Sequence, residues 1–101
     1  MELTILDPGP QRRIALADEV SIADAAELRD ALALALTTSE QLELDLSGLE
    51  SIDIAGLQIL TALLHESHPV RITAPSEAFV QTVELLQLEP LRSACQQEAL
   101  A

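Results

Sequence analysis

Residues 45–57 read Asp45-Leu46-Ser47-Gly48-Leu49-Glu50-Ser51-Ile52-Asp53-Ile54-Ala55-Gly56-Leu57. A strand ends in Asp-Leu-Ser, a polar loop follows at 47–51, and Ile-Asp-x-x-Gly-Leu opens a helix. Just upstream, Leu42, Leu44 and Leu46 alternate with Glu43 and Asp45, the period of a half-buried strand over 41–46. Downstream, Asp53 stands where an N-cap belongs, ready to accept the amides of Ala55 or Gly56, an arrangement worth about 1 kcal/mol. Gly56 permits close backbone approach to the sheet or to a neighbouring loop. At 100° per residue, Gly56, Leu60 and Leu63 form the inward face of a helix over 54–66. Ile54, Gln58, Thr61 and His65 form a stripe roughly opposite. Ile54 thus begins a stripe that is otherwise polar. It is either a contact for another protein, a plug tucked under the preceding loop, or a scattered surface apolar residue.

Working outward, residues 2–6 and 12–16 are short strands around the turn Asp7-Pro8-Gly9-Pro10, a β-hairpin. Asp24 and Glu27 stand three apart before an Ala- and Leu-rich run to about residue 36, predicting a helix capped by Asp24, with Leu28, Ala31, Leu32 and Ala35 on one face. On the other side, His68-Pro69 ends the second helix. Residues 70–74 form a short strand, and Ser76 caps a helix running to about residue 87 through Phe79, Val83 and Leu86. Residues 88–91 end the ordered pattern, and 92–101 are a weak last helix or frayed chain. The order β-β-α-β-α-β-α predicts an α/β fold: an N-terminal hairpin, then alternating units in a mostly parallel sheet of four or five strands with helices packed against it. With 101 residues and no linker or repeat, one domain spanning 1–101 is expected, its core at about 2–88.

Composition narrows the function. Seventeen acidic residues against five Arg give a net charge of −12, which repels nucleic-acid backbones and anionic lipid heads and suits a partner with a basic patch. Phe79 is the one aromatic residue, so there is no stacking platform for bases. No apolar run approaches the ~20 residues of a membrane span. The first seven residues lack a basic stretch followed by an apolar one, and the single Cys95 suits a reducing compartment, so a cytoplasmic protein is expected.

The stretch 45–57 resembles the signature of STAS domains, the family of bacterial anti-sigma-factor antagonists and related modules, and the element order from about 12 to 88 fits that family too. The resemblance implies a non-catalytic protein–protein interaction module, a monomer or weak homodimer. Its binding surface lies around the loop and helix start: Ser47, Gly48, Ser51, Asp53, Ile54, Ala55, Gln58 and Thr61. In phosphoregulated members a serine two residues after the Asp is phosphorylated by a partner kinase that is also the anti-sigma factor. The matching position here is Ala55, and Ile54 replaces the Ser or Thr often found before it. No phosphorylation is therefore expected at this turn, and Ser47 and Ser51 read as ordinary loop serines. The implied partner is an anti-sigma factor of the histidine-kinase-like ATPase type. The alternative is the ATPase subunit of a phospholipid-transport ABC system, or a chemotaxis component, since Ala55-Gly56-Leu57-Gln58 resembles those types more than the sporulation type.

Other chemistry is weaker. His65 and His68 lie three apart, but one ends a helix and the other precedes Pro69, so no metal site is expected from them. Asp45 and Asp53 bracket one loop without a Lys or a nucleophile beside them, there is no phosphate-cradling Gly-rich loop, and neither an enzyme nor a cofactor is expected. Arg12 and Arg13 balance the acidic surface. Leu34 points away from the inward face of the first helix and, with Ile54, offers a further apolar spot.

Overall fold

The computed structural model describes residues 1–100, with side chains as far as Cys95. Strands β1 (Glu2–Asp7) and β2 (Gln11–Val20) form an antiparallel hairpin whose turn is tightened by the Gly9 amide donating to Asp7 Oδ1 at 2.9 Å. Strand β3 (Gln41–Ile52) lies parallel to β2, and β4 (Val70–Thr73) parallel to β3, giving the sheet order β1-β2-β3-β4. Helices α1 (Ala25–Thr38) and α2 (Ile54–His65) cross between the parallel strands, and α3 (Glu77–Leu86) and α4 (Leu91–Leu100) follow β4. This is the α/β arrangement that the alternation predicts, with four strands.

Alternation within the strands decides which face the helices cover. Ile14, Leu16, Leu42, Leu44, Leu46 and Ile72 point to one side and are buried with Leu28, Leu32, Leu57, Leu60, Phe79 and Val83 of the helices. The opposite face stays polar. The register places Asp7, Arg13, Glu43 and Arg71 side by side across all four strands, so charges of alternating sign are neighbours. Arg13 Nε lies 3.2 Å from Glu43 Oε2 within that row.

Three expectations need correction. Residues 47–51 are strand, not loop: β3 continues to Ile52 because β2 itself continues to Val20, pairing Ala17 with Gly48, Asp18 with Leu49 and Glu19 with Ser51. Two register shifts against β2, each placing one extra residue in β3 (between Asp45 and Gly48 and between Leu49 and Ser51), break the period-2 pattern that sequence reading relies on, and Asp18 of β2 stands left-handed there at φ 68°. Gly48 lets the two strands approach closely there, because a Cβ would stand 3.0 Å from Ala17 Cβ. Second, Asp24 does not cap α1 with its side chain. A 3₁₀ turn (Ile22–Asp24) precedes the helix, and Asp24 Oδ2 accepts from the Ser21 amide at 2.9 Å, so the capping box opens one turn earlier, at Ser21. That amide bond, with help from the nearby amino terminus, holds the Asp24 carboxyl below its ordinary 3.8. Third, the core does not stop at about residue 88, and the tail, open in sequence between a weak helix and frayed chain, forms a helix. Helix α4 inserts Leu91 and Cys95, four residues apart, into the core. Burial, then the Glu84 charge, pushes the Cys95 thiol up to about 11.

Candidate docking face at the start of the second helix

Helix α2 starts where the prolonged β2 and β3 end together, at the pair Val20 and Ile52. The Asp53 amide donates to Val20 O at 3.1 Å, and Asp53 Oδ1 accepts from the Gly56 amide at 3.1 Å, fixing both the entry of the helix and its first turn. Gly56 faces the sheet so closely that a Cβ would stand 2.7 Å from Ile52 Cγ1 and 3.0 Å from Val20 Cγ1. With Gly56, Leu57, Leu60 and Leu63 turned inward, Ile54 is forced outward and is 56% exposed. It is not a plug beneath the preceding segment.

A residue that the sequence reading passed over stands at the same end. Ile22, in the 3₁₀ turn that contacts α2, is 76% exposed. Its only signal is an isoleucine between a strand and a helix, outside either period. At the same end of the sheet the acidic side chains Asp18, Glu19, Glu50 and Asp53 are exposed. The end of the sheet therefore combines exposed aliphatic surface with dense negative charge, a combination complementary to apolar surface edged by basic side chains.

The sequence-nominated residues divide. Ile54, Gln58 and Thr61 line a groove of about 410 Å³ between α2 and Leu88, closed at its far end by His65. Ala55 lies on the other flank of α2, in a groove of about 400 Å³ shared with α1, and Gln58 borders both. The Thr61 hydroxyl donates to Leu57 O at 2.8 Å and is occupied within its own helix. Ser51 is exposed opposite Glu19, whereas Ser47 and Gly48 sit further back in β3. The Ser47 amide donates to Asp45 Oδ1 at 2.9 Å. This bond, with the Ser47 hydroxyl and Arg13, keeps the Asp45 carboxyl below its ordinary value. Ser76 caps α3, its Oγ accepting from the Phe79 amide at 3.1 Å.

The remaining candidates are engaged elsewhere. Arg12 donates from Nη1 to Thr38 Oγ1 at 3.0 Å and from Nη2 to Thr38 O at 3.2 Å, closing the C-terminus of α1 onto the hairpin turn. His68 Nε2 lies 3.4 Å from Ser39 Oγ, while His65 ends α2 in the open. Among the described residues, no three of His, Cys, Asp and Glu are grouped to hold a metal, and no helix is long and apolar enough to cross a membrane.

The family model described as "Mlab, STAS domain" matches residues 7–93. No curated protein matches the chain. Among solved structures, an anti-sigma factor antagonist from Mycobacterium paratuberculosis is similar with a TM-score of 0.72 at 18% identity, over 97% of this chain and 93% of that one. The anti-sigma factor antagonist SpoIIAA in its unphosphorylated form is similar with a TM-score of 0.64 at 14% identity, over 89% of this chain and 83% of that one. The murine Solute Carrier 26 family member A9 anion transporter contains a similar segment, with a TM-score of 0.63 at 17% identity. There 86% of this chain corresponds to 15% of that one.

Proposed function

The chain belongs to the STAS domain family, and from that premise we propose that it is a non-catalytic docking module of the cytoplasm that regulates a protein partner by direct binding, with no phosphoryl switch of its own. One observation carries the reading: the first turn of α2 presents an exposed Ile54 where relatives often carry a hydroxyl, followed by Ala55 at the position of their phosphorylated serine. A methyl group accepts no phosphate, so binding is constitutive and is set by the availability of the partner. Two exposed isoleucines at an acidic end of the sheet select a partner whose contact surface is apolar with Arg or Lys at its edge. An anti-sigma factor of the histidine-kinase-like ATPase type is the first such partner. The ATPase subunit of a phospholipid-transport ABC system, or a chemotaxis component, is the second, favoured by the run Ala55-Gly56-Leu57-Gln58.

Affinity capture from the native cell with wild type and Ile54→Asp decides the matter. The expected result is one ATPase partner retained by wild type and lost from the variant, with thermal stability shifted by no more than about 0.5 kcal/mol, as for a surface position. Equal retention by both proteins defeats the proposal. Incubating the chain with the captured ATPase and ATP is expected to leave its intact mass unchanged. A gain of one phosphate mapping to Ser47 or Ser51 overturns the constitutive reading.

A further inference from the structure

We propose that the outer edge of β1 is a self-pairing surface: two copies of this chain join β1 to β1 about a two-fold axis at Thr4, giving one continuous sheet with four strands from each copy. The two edges of the sheet are built differently. Strand β4 is short (Val70–Thr73), follows Pro69 and carries α4 against it, three features that discourage a further strand. At the other edge, β1 packs extensively on β2 alone among the described elements. Residues 2–7 contain no Pro and no Lys, and the one irregularity of the pairing, where Leu6 has no partner in β2, lies beyond Ile5. Leu3-Thr4-Ile5 is therefore an unguarded stretch of edge. Leu3 and Ile5 stand opposite Leu16 and Ile14, on the side of the sheet that the helices cover, yet Ile5 is 54% exposed. The helical layer stops short of it.

The pattern of the strand itself decides what covers this edge. Across a two-fold axis at Thr4, Leu3 of each copy faces Ile5 of the other on the helix side, Thr4 faces Thr4 on the open side, and Glu2 faces Leu6. The row of aliphatic side chains then runs on from one core edge to the other, and no acid faces an acid over residues 2–6. Moving the axis to Ile5 sets Leu3 against Asp7. Moving it to Leu3 sets Ile5 against Met1, whose amino group is held 3.8 Å from Asp24. An axis between two residues opposes side chains that belong to different faces. A basic strand from another protein fits less well, because Arg12 and Arg13 lie beside Asp7 in one shallow pocket and repel cations at that end. What opposes self-pairing is the −12 charge of each copy, a long-range repulsion that salt screens. A ladder of about five residue pairs is a small interface, so the dimer is weak and strengthens with salt.

Sedimentation equilibrium at chain concentrations up to about 1 mM tests this. The dimer fraction is expected to be at least threefold larger in about 1 M NaCl than in about 0.1 M, where the screening lengths are about 3 Å and about 10 Å. Thr4→Lys, at an exposed position, sets like charges directly opposite each other across the axis. It is expected to weaken the dimer at least tenfold with an unchanged circular dichroism spectrum, although it lowers the net negative charge and so relieves the general repulsion. Under mild oxidation, Thr4→Cys is expected to form a disulfide-linked dimer at least tenfold faster than Leu6→Cys. Copies of residue 4 meet at about 5 Å, within disulfide reach, whereas copies of residue 6 stand about 14 Å apart along the ladder. Wild type, with Cys95 buried, is the blank. Ile54→Ser is expected to leave the dimer unchanged, which separates this proposal from the docking reading of the α2 face. A chain that stays monomeric in about 1 M NaCl, a dimer that survives Thr4→Lys, or equal cross-linking at positions 4 and 6 overturns the proposal. So does a dimer lost with Ile54→Ser and kept with Thr4→Lys, which assigns the contact to the α2 face.

Discussion

The two ends of the sheet use their polar groups in opposite ways. At the hairpin end, Arg12 binds Thr38 through two nitrogens and Gly9 O through Nε, Asp7 binds the Gly9 amide, and Arg13 pairs with Glu43. Cations there are matched by local acceptors and the turn is closed on itself. At the α2 end, backbone groups are satisfied by Asp53 and Asp24, but Asp18, Glu19 and Glu50 are exposed at the same end as two isoleucines that remain largely in solvent. One end is built to be finished within the monomer. The other holds its backbone rigid while leaving aliphatic side chains uncovered, which is what a preorganised contact surface requires. The difference teaches that exposure of Ile22 and Ile54 is not poor packing, because the turns that carry them are firmly anchored beneath.

That contrast can be broken by substitution. The largest effect is expected at the anchor. Gly56→Val drives a branched side chain into Ile52 and Val20 and should lower unfolding free energy by about 2–3 kcal/mol in urea titration. A variant as stable as wild type means that the first turn is not held by this contact. Arg12→Ala at the hairpin end should cost about 1 kcal/mol, since the lost bonds are charge-assisted but exposed. No loss there removes the claim that this end is closed by its own groups. Ile22→Ser should change stability by no more than about 0.5 kcal/mol while weakening capture of the partner severalfold. A stability loss without a binding loss shows the isoleucine to be structural. The smallest effect is expected in the acid limb of stability. Asp45 has a folded pKa below 3.8, so its stabilisation is present above that value and fades as pH falls through the lower folded pKa. Asp45→Asn should therefore be less stable than wild type at neutral pH and converge with it in acid, followed by thermal melts across the limb.

Much of this was legible because local pattern and burial agree. The alternation of Leu42, Leu44 and Leu46, the helical spacing of Leu57, Leu60 and Leu63, and the start of α3 after Ser76 are short-range signals, and the core uses each of them. The candidate face was half legible. Ile54 stood out as an apolar residue on a polar stripe, whereas Ile22 lies in a turn without any period to stand out from. Helix α4 stayed undecided in the sequence because Leu91 and Cys95 are its buried contribution among the described side chains, too few to mark a periodicity.

From the amino-acid order alone came the α/β class, the placement of α2 behind Asp53, the strong negative charge, and the absence of a hydroxyl at position 55. All of these depend on residues near one another in the chain or on composition. The tertiary structure alone decided that 47–51 is strand, that the capping box opens at Ser21, that Ile22 joins Ile54 at one end, and that Ile54 and Ala55 face different grooves. Each of these follows from which distant segments share a ladder or a wall. Pairing β2 with β3 across a bulge is a long-range event, and no local periodicity encodes it.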